Sequence, residues 1–347
     1  MSDKKVSVGT NTARAVIWDI ARRSGVSIAT VSRVLNGRPD VAAATRERVM
    51  QHVRELGYTS NRRPAGRNNG TCSYIGIVAP QLHSPYFGKI VEGASEATEE
   101  RSTRLVVCLT QNMPNQESAI IQGLERDGVD GVLLLLPSQH QQDLSSLQRR
   151  GFPLVVIDPF YPLSENIPVI AAANISGARM ATEHLVSLGH RRIGIIAGIP
   201  DCCATIDRLA GYHSVLVGVG IPNFTELIVA GDFTAEGGRK AAHQLLTRPD
   251  PPTAIFAMND DMAIGALQAA QERGIRVPQQ LSVVGYDDGE FASFVTPMLT
   301  TVRQPLKELG RVGTDILYRL INGQPLEANR VELSTKLIVR DSTGRCP

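Results

Sequence analysis

The stretch DIARRSGVSIATVSRVLNG, residues Asp19–Gly37, decides the fold of the N-terminal part of this 347-residue chain. It predicts two short helices, one over about Ile17–Ser24 and one over about Ile28–Leu35. Gly25 lies between them and supplies the positive φ angle that a sharp turn requires at low steric cost. Ser27 precedes the second helix, where its hydroxyl can accept a hydrogen bond from a free backbone N–H group. This spacing is typical of a helix-turn-helix.

The second predicted helix has an apolar face and an unusual exposed face. Its apolar face consists of Val31, Val34 and Leu35, which fall at the spacing of one inward stripe. The outward positions are Ile28, Ala29, Ser32 and Arg33. An outward isoleucine near an arginine is unexpected on a surface that meets only water. It suits a face that meets base edges, which offer thymine methyl groups and guanine acceptors.

A third predicted helix, over about Ala43–Leu56, completes a small basic unit. Residues 1–70 hold 13 lysines and arginines against 5 acidic residues, a net charge of +8, whereas residues 71–347 hold 23 against 29, a net charge of −6. A basic head on a mildly acidic body favours a polyanion as the partner of the head. The alternatives are a plain three-helix bundle and a basic face that meets only solvent.

The stretch Val16–Tyr58, which also contains ATRERVMQHVRELGY, closely resembles the DNA-binding head of the lactose/galactose-repressor (LacI/GalR) family. The resemblance implies that Ile28, Ala29 and Arg33 read bases in the major groove of DNA. Residues implied in phosphate or supporting contacts are Ser27, Thr30, Ser32 and Asn36. Two heads on a homodimer are then expected to read a pseudo-palindromic operator, because half-sites matched to a two-fold axis double the contacts.

The linker NRRPAGRNNGT, Asn61–Thr71, departs from the pattern of that family. Family members typically carry here a short helix that folds on operator DNA and inserts a leucine into the minor groove. In this chain Pro64 and Gly66 weaken the helix propensity, and Arg67 stands where the leucine is expected. The arginines expected instead to follow phosphates or to enter a narrow minor groove as charges are Arg62, Arg63 and Arg67.

After Cys72 the pattern changes to short β-branched runs, such as Tyr74–Ala79, that alternate with amphipathic helices. Runs buried on both faces and separated by helices indicate doubly wound parallel sheets, and about 275 residues are too many for one core. The predicted fold class is an all-α helix-turn-helix head plus an α/β body of two doubly wound parallel-sheet lobes. The predicted segments are a tail at 1–15, a helix-turn-helix domain at 16–60, a hinge at 61–72 and a body at 73–347, with lobes of about 73–170 plus 302–330 and about 171–301 plus 331–345.

Polar residues stand where several of the predicted strands end. Asp158, Asn259 and Asp287 each follow an apolar run, and ligands of open parallel sheets bind beyond the carboxyl ends of the strands. Carboxylates and amides at several strand ends suit a neutral ligand that is rich in hydroxyl groups. The alternative for any one of these residues is that it only caps the next helix.

The segments PPTAIFAMNDDMAIGAL and VPQQLSVVGYDD resemble the periplasmic-binding-protein-like core of the same family. By position, the resemblance implies that Arg208, Asn259 and Asp287 grip polar groups of an effector and that Phe233 offers a stacking face. The full implied set of effector-binding residues is Tyr86, Phe87, Asp158, Arg208, Phe233, Asn259, Asp287 and Gln304. The alternatives are core packing for Phe233, a salt bridge for Arg208, and packing of a helix start for Tyr86 and Phe87.

These features predict a ligand-responsive repressor of carbohydrate uptake or catabolism genes, in which a sugar between the two lobes changes operator affinity. One alternative is a nucleobase- or nucleoside-responsive regulator of the same family, since Phe233 could stack on a purine equally well. The other is a solute-binding protein, which the body alone would fit but the head would not.

The sequence gives no sign of catalysis or of a metal site. It has no GxSxG, phosphate-binding-loop or HExxH motif, and none of its seven histidines form an i, i+4 pair. We therefore expect no enzyme activity, no cofactor and no bound metal. Its five cysteines include no CxxC pair, and no apolar run approaches about 18 residues. The expected location is the cytoplasm, without contact with a membrane.

Overall fold

The computed structural model describes residues 17–35, 38, 40–56, 72–82, 84–137, 144, 147, 151–222 and 225–347. The main division between two compact units falls between Thr71 and Cys72. The predicted tail at 1–15 and the hinge through Thr71 lie outside the described residues. The predicted DNA contacts that also lie outside them are Asn36, Arg62, Arg63 and Arg67.

The described head consists of α1 (Ile17–Ser24), α2 (Ile28–Leu35) and α3 (Ala43–Glu55). Gly25 has a φ angle of +64°, the left-handed conformation that the sharp turn requires. The core of the head is formed by Ile20, Ala21, Val31, Val34 and Val49. The predicted helix-turn-helix and its inward stripe are therefore confirmed.

The first lobe of the body is built on a parallel sheet whose two faces are both covered. Its strands are β1 (Tyr74–Ala79), β2 (Arg104–Leu109), β3 (Val132–Leu135), β4 (Leu154–Ile157), β5 (Val169–Ala172) and β11 (Arg330–Leu333). Their order across the sheet is β11-β5-β4-β3-β1-β2, and all pairs are parallel. The helices on this lobe are α4 (Pro85–Glu99), α5 (Pro114–Arg126) and α10 (Leu306–Ile321). One face packs against α4 and α10 and the other against α5, which explains why the inner strands β3, β4 and β5 are apolar throughout.

The second lobe repeats this architecture. Its strands are β6 (Ile193–Ala197), β7 (Ile228–Ala230), β8 (Ala254–Ala257), β9 (Ser282–Asp287), β10 (Thr300–Arg303) and β12 (Lys336–Ile338). Their order is β12-β10-β9-β8-β6-β7. The helices are α6 (Asn174–Ser187), α7 (Cys203–Gly218), α8 (Ala235–Leu246) and α9 (Asp260–Glu272). The prediction of doubly wound parallel lobes is confirmed, except that the edge strand β12 pairs with β10 in the antiparallel direction.

The points at which the chain crosses between the lobes differ from the expected ones. The boundaries expected at 170/171 and 301/302 cut through β5 and β10, and the one at 330/331 cuts through β11. In the structure, β5 and β11 pair with each other along their whole length in the first sheet, and β10 pairs with β9 in the second. A strand that is hydrogen-bonded along its whole length belongs to one sheet. The chain therefore crosses between the lobes after the ends of β5, β10 and β11, at Ala173, Gln304 and Ser334–Thr335 respectively.

Two glycines bring the helices that carry one wall of the cleft into close contact. A Cβ atom on Gly93 of α4 would lie 1.9 Å from the carbonyl oxygen of Lys307, and one on Gly310 of α10 would lie 2.0 Å from that of Ile90. Only glycine permits so close an approach of two helix backbones. The first turns of α10 are thus held against the middle of α4.

Candidate functional site

The carboxyl ends of strands from both lobes converge on one cavity of about 730 Å³. Tyr86, from the first turn of α4, lines it from the first lobe, and Asp287, at the end of β9, lines it from the second. Gln304, on the segment that crosses between the lobes, lies between them. This volume falls within the range of small-molecule binding sites, about 300–1,000 Å³.

Tyr86 and Asp158 form a hydrogen-bonded pair on the wall of the first lobe. The phenol hydroxyl of Tyr86 donates to Asp158 Oδ2, and Asp158 Oδ1 accepts a bond of 3.3 Å from the backbone N–H of Ala172. Burial raises the pKa of Asp158, although the bond from Tyr86 opposes the shift. Burial, together with the charge of Asp158, raises the pKa of Tyr86 well above its ordinary value. Tyr86 therefore acts as a hydrogen-bond donor in this site.

Arg208, on α7, is not among the residues that line this cavity, but its charge acts on Asp287, and its side chain is held on three sides. Its Nε donates to Asn174 Oδ1 at 2.9 Å, and its Nη1 donates to the carbonyl oxygen of Met258. Its guanidinium carbon lies 3.7 Å from the centroid of the Tyr286 ring, a cation–π contact. A guanidinium has five N–H donors, so this anchoring leaves donors for a ligand.

Asp287 and Gln304 present a row of acceptors. Gln304 Nε2 donates to Asp287 Oδ1 at 2.7 Å. Gln304 is only 4% exposed, and its Oε1 has no hydrogen-bond partner among the described residues. A buried acceptor without a partner is costly, so a donor supplied by a ligand is the natural complement.

Phe233 and Asn259 are linked through the backbone. Asn259 Nδ2 donates to the carbonyl oxygen of Phe233 at 3.0 Å, while its Oδ1 accepts from the N–H of Met262 at 2.9 Å and caps α9. The Phe233 ring lies so close to Gly198 that a Cβ atom there would be 2.0 Å from it. Asn259 thus has a structural role, capping a helix and holding the Phe233 loop, which was one of the alternatives from the sequence.

Residues with positive φ angles cluster at this site. The angles are +48° at Asp158, +63° at Phe233 and +118° at Asp287. Aspartate tolerates such angles better than most residues, but for phenylalanine the conformation is strained. Backbone strain of this kind concentrates at binding sites, and here it occurs at three of the residues predicted to bind an effector.

In the head, the face predicted to read DNA is open. Ser27 Oγ accepts a bond of 3.1 Å from the N–H of Thr30, which confirms the predicted helix cap. Ile28 is 38% exposed, and Ala29 is exposed beside it. The Arg33 guanidinium lies 3.7 Å from Asp40 with 63% of its side chain exposed.

The sequence and the architecture are similar to those of known proteins. Residues 16–61 match the model for bacterial regulatory proteins of the lacI family, and residues 182–343 match that for periplasmic binding protein-like domains. The chain is 37% identical over 339 residues to the HTH-type transcriptional repressor CytR of Escherichia coli (strain K12), covering 96% of this chain and 97% of CytR. The chain belongs to the LacI family. It is a DNA-binding transcriptional regulator with a ligand-binding body.

Two solved structures of LacI-family proteins are similar over nearly the whole chain. A complex of the transcriptional regulator CelR with cellobiose is 36% identical with a TM-score of 0.71, covering 95% of this chain and 100% of CelR. The lac repressor dimer bound to operator and the anti-inducer ONPF is 31% identical with a TM-score of 0.71, covering 96% and 100%. Within the described part of this LacI-family chain, no helix is long and apolar enough to span a membrane.

Of the residues predicted to bind the effector of this LacI-family protein, only three line the cavity, namely Tyr86, Asp287 and Gln304. The four that lie outside its lining and are described above are Asp158, Arg208, Phe233 and Asn259. Phe87 is only 7% exposed and packs in the core of the first lobe with Ile90. It follows Tyr86 on the same helix, and adjacent helical residues point in directions about 100° apart. We therefore correct the prediction: Tyr86 lines the cavity, and Phe87 anchors α4 behind it.

Sequence reasoning did not single out two residues that shape the site. Asn174 and Tyr286 hold Arg208, as described above. Asp260 accepts bonds from the Thr301 hydroxyl at 2.5 Å and from the Gly289 N–H at 2.7 Å, so it fixes the turn after Asp287. The sequence places Asp260 directly after Asn259, at the end of a predicted strand, where polar residues of a ligand site are expected.

Asp287 gives this LacI-family protein a pH-dependent stability. Burial raises its pKa from 3.8 to about 7, against the opposing charge of Arg208. When the pKa of a carboxyl group is higher in the folded state than in the unfolded state, the group contributes fully to the free energy of unfolding at pH values below its unfolded-state pKa. This contribution is lost as the pH rises through its folded-state pKa. We expect the unfolding free energy of Asp287→Asn, relative to wild type, to increase between pH 4 and about 7, as measured by urea unfolding. A difference that stays constant over this range would contradict the prediction.

Proposed function

We propose that this protein is a repressor of carbohydrate uptake or catabolism genes whose effector is a sugar bound between the two lobes. The observation that carries the proposal is that Asp287 and Gln304 line the cavity together, with the buried Gln304 Oε1 lacking a hydrogen-bond partner among the described residues. The charge of Arg208 acts on Asp287, so this arginine supplies the guanidinium of the proposed site. Each sugar hydroxyl group can both donate and accept a hydrogen bond. Two neighbouring hydroxyl groups can therefore accept from a guanidinium and donate to a carboxylate or an amide oxygen at the same time. Tyr86, Asp158 and Phe233 complete the proposed site, and Asn259 supports it by holding the Phe233 loop.

The half-buried ring of Phe233 supports a second candidate, a nucleobase- or nucleoside-responsive regulator. Its ring could cover the apolar face of a sugar or stack on a purine. The acceptors of Asp287 and Gln304 suit amino groups as well as hydroxyl groups. The two candidates differ in the ligand that binds, so a screen separates them.

For the head, we propose that Ile28, Ala29 and Arg33 read bases in the major groove. The supporting contacts in this proposal come from Ser27, Thr30, Ser32, Asn36, Arg62, Arg63 and Arg67. The exposure of Ile28 and Arg33 on α2 supports it, as does the net charge of +8 over residues 1–70, from 13 basic and 5 acidic residues. We further propose that the protein acts in the cytoplasm, without catalytic activity and without contact with a membrane.

The test is a fluorescence-anisotropy titration of full-length protein with a pseudo-palindromic duplex selected from a random pool. Sugars, nucleosides and nucleobases are then added one at a time. The proposal predicts that one sugar changes the operator affinity, because effector and DNA binding must affect each other reciprocally. A nucleoside acting alone would establish the second candidate. If the operator affinity is the same with every compound, the proposal that a small molecule controls DNA binding is wrong. If the protein binds all duplexes with equal affinity, the proposal that it reads an operator is wrong.

We also propose that the protein is a homodimer, since the second lobe exposes large apolar side chains around the 3-10 helix Glu290–Ser293. Phe294 is 72%, Phe291 57% and Met298 43% exposed. An apolar patch of this kind marks an interaction surface, and two heads that read one pseudo-palindrome require a second copy of the chain.

We expect Phe294→Glu to convert the dimer into a monomer in sedimentation velocity experiments and to weaken operator binding, because one head then binds one half-site. Val217→Glu is the matched control, since Val217 is 73% exposed on α7. A Phe294→Glu protein that remains dimeric, or a Val217→Glu protein that dissociates as readily, would contradict this surface.

A further inference from the structure

The apolar side chains of the proposed dimer surface are carried by one loop. This loop, here called the patch loop, is Asp288–Leu299 and joins β9 to β10. Phe291, Phe294 and Met298 are exposed on it, whereas its fully buried apolar residues are Ala292 and Leu299. A segment that places few side chains in a core has little local stability of its own, so its position depends on the contacts at its two ends.

Arg340, two residues after the end of β12, holds both ends of the patch loop. Its Nη2 donates to Asp288 Oδ1 at 2.6 Å, at the start of the loop. Its Nη1 donates to the carbonyl oxygen of Leu299 at 2.8 Å, at the end of the loop. The N–H donors of a guanidinium lie in one rigid plane, so this pair of bonds fixes the distance between the two ends. The backbone N–H of the next residue, Asp341, adds a bond of 3.0 Å to the carbonyl oxygen of Met298.

The start of the patch loop needs such a hold, because its backbone is strained. Asp288 has a φ angle of +56°, and Asp287 before it has one of +118°. Residues other than glycine adopt such angles at a cost that the surrounding structure must offset. The ion pair is suited to this, since the side chains of Arg340 and Asp288 are only 16% and 7% exposed and a charge-assisted hydrogen bond is stronger than a neutral one.

Among the described residues, a second arginine contacts the same carboxylate, but its side chain bonds to that end of the loop alone. Arg303, on β10, donates from Nε to Asp288 Oδ2 at 2.6 Å, and 54% of its side chain is exposed. Exposed ion pairs contribute little to stability. Arg303 therefore helps to neutralise Asp288, whereas Arg340 also joins Asp288 to Leu299.

We infer that Arg340 is a positioning residue for self-association, which holds the patch loop in the conformation whose aromatic side chains fit a second copy of the chain. This inference rests on the proposed homodimer through Phe294. In a two-fold interface each copy presents the same surface, so a loop that loses its shape disturbs the contact twice. Dimer formation, and hence binding to both half-sites of an operator, then depends on a residue that lies outside the apolar surface itself.

Sedimentation velocity of the full-length protein over a range of concentrations tests the inference. We expect the dimer Kd of Arg340→Gln to rise about tenfold or more, because the ends of the loop are then free to separate. Fluorescence anisotropy compares two duplexes, the full operator selected from a random pool and a duplex with one half-site. The affinity for the full operator should fall, whereas the affinity for the single half-site should equal that of the wild type. A general loss of structure would weaken both.

Arg303→Gln is the matched control. Both substitutions remove an arginine that lies 2.6 Å from the same carboxylate, but only Arg340→Gln frees Leu299. We expect Arg303→Gln to keep the wild-type dimer Kd. If the melting curve shows that Arg340→Gln is not folded, Arg340→Lys takes its place, since lysine keeps the charge but lacks the rigid fork that spans the loop ends. The dimer Kd of Arg340→Lys is expected to rise as well.

Hydrogen exchange shows whether the effect is confined to the patch loop. Within the loop, the N–H of Leu299 donates to the carbonyl oxygen of Ala292 at 2.8 Å, and the N–H of Val295 donates to that of Phe291 at 3.2 Å. We expect both amides to exchange faster in the Arg340 variant, while the amides of β9 keep their wild-type rates.

The outcomes separate this inference from the proposed dimer. A folded Arg340 variant with the wild-type dimer Kd overturns the inference, as does an Arg303→Gln protein that dissociates as readily. Faster exchange in β9 as well as in the patch loop also overturns it, since Arg340 then stabilises the whole lobe. If Phe294→Glu dissociates while the Arg340 variant does not, only the inference fails. If Phe294→Glu remains dimeric, the proposed surface and the inference fail together.

Discussion

Arg33→Ala is expected to abolish site-specific recognition of the operator while leaving the fold and effector binding intact. Arg33 is exposed on α2, with 63% of its side chain accessible, so its removal leaves no cavity in the core of the head. A bidentate contact of arginine with guanine contributes about 1–3 kcal/mol. Because a dimer makes the contact twice, we expect the free energy of operator binding to weaken by about 2–6 kcal/mol. Footprinting and fluorescence anisotropy with random competitor DNA at moderate salt measure this loss.

Arg22→Ala separates base reading from general electrostatics. Arg22 lies on α1 of the same head, has 76% of its side chain exposed and faces Asp19 at 3.5 Å, so the two variants lose the same charge. Loss of one charge weakens binding to all duplexes alike and reduces the salt dependence. If Arg33→Ala keeps a footprint, or if Arg22→Ala loses it equally, Arg33 does not read bases.

The head was predictable from the sequence because its contacts are local. The turn at Gly25 and the cap at Ser27 each depend on residues within a few positions. The Ser27 Oγ bond to Thr30 N and the φ angle of +64° at Gly25 both follow from residue type. The inward stripe of α2 follows from helical periodicity alone.

The lobe boundaries could not be read in the same way, because they depend on pairing between distant segments. β5 (Val169–Ala172) is a short apolar run that finds its partner in β11 (Arg330–Leu333), and no local pattern identifies this pairing. β12 (Lys336–Ile338) then joins the other sheet through β10 after only two residues. Short strands of this kind carry too little periodicity to be assigned before the register is known.

In the candidate site, too, the local features could be predicted from the sequence and the contacts between distant segments could not. The placement of Asp158 and Asp287 at strand ends follows from the rule for parallel sheets. The bond between Tyr86 and Asp158 and the stacking of Arg208 on Tyr286 join distant elements, and the sequence contains no sign of either. Asn259 stands where a ligand contact was expected, but its amide already caps α9 and holds Phe233.

Asp287→Ala is expected to weaken sugar binding by about 1–3 kcal/mol, or about 5-fold to 150-fold, because it removes an acceptor from a desolvated site and leaves Gln304 Nε2 without its 2.7 Å partner. Calorimetry with the sugar that binds the wild-type protein most tightly measures the loss. By reciprocity, the sugar concentration that changes operator binding should rise by the same factor.

Glu290→Ala is the matched control, since Glu290 is an exposed carboxylate that lines the same cavity. Both variants lose an acidic side chain near the ligand, but only Asp287 is bonded to the buried Gln304. A long-range electrostatic effect would therefore appear in both variants, and a direct contact would appear in Asp287→Ala alone. Unchanged sugar affinity in Asp287→Ala would remove this residue from the site, and the acceptor row would then depend on Gln304 alone.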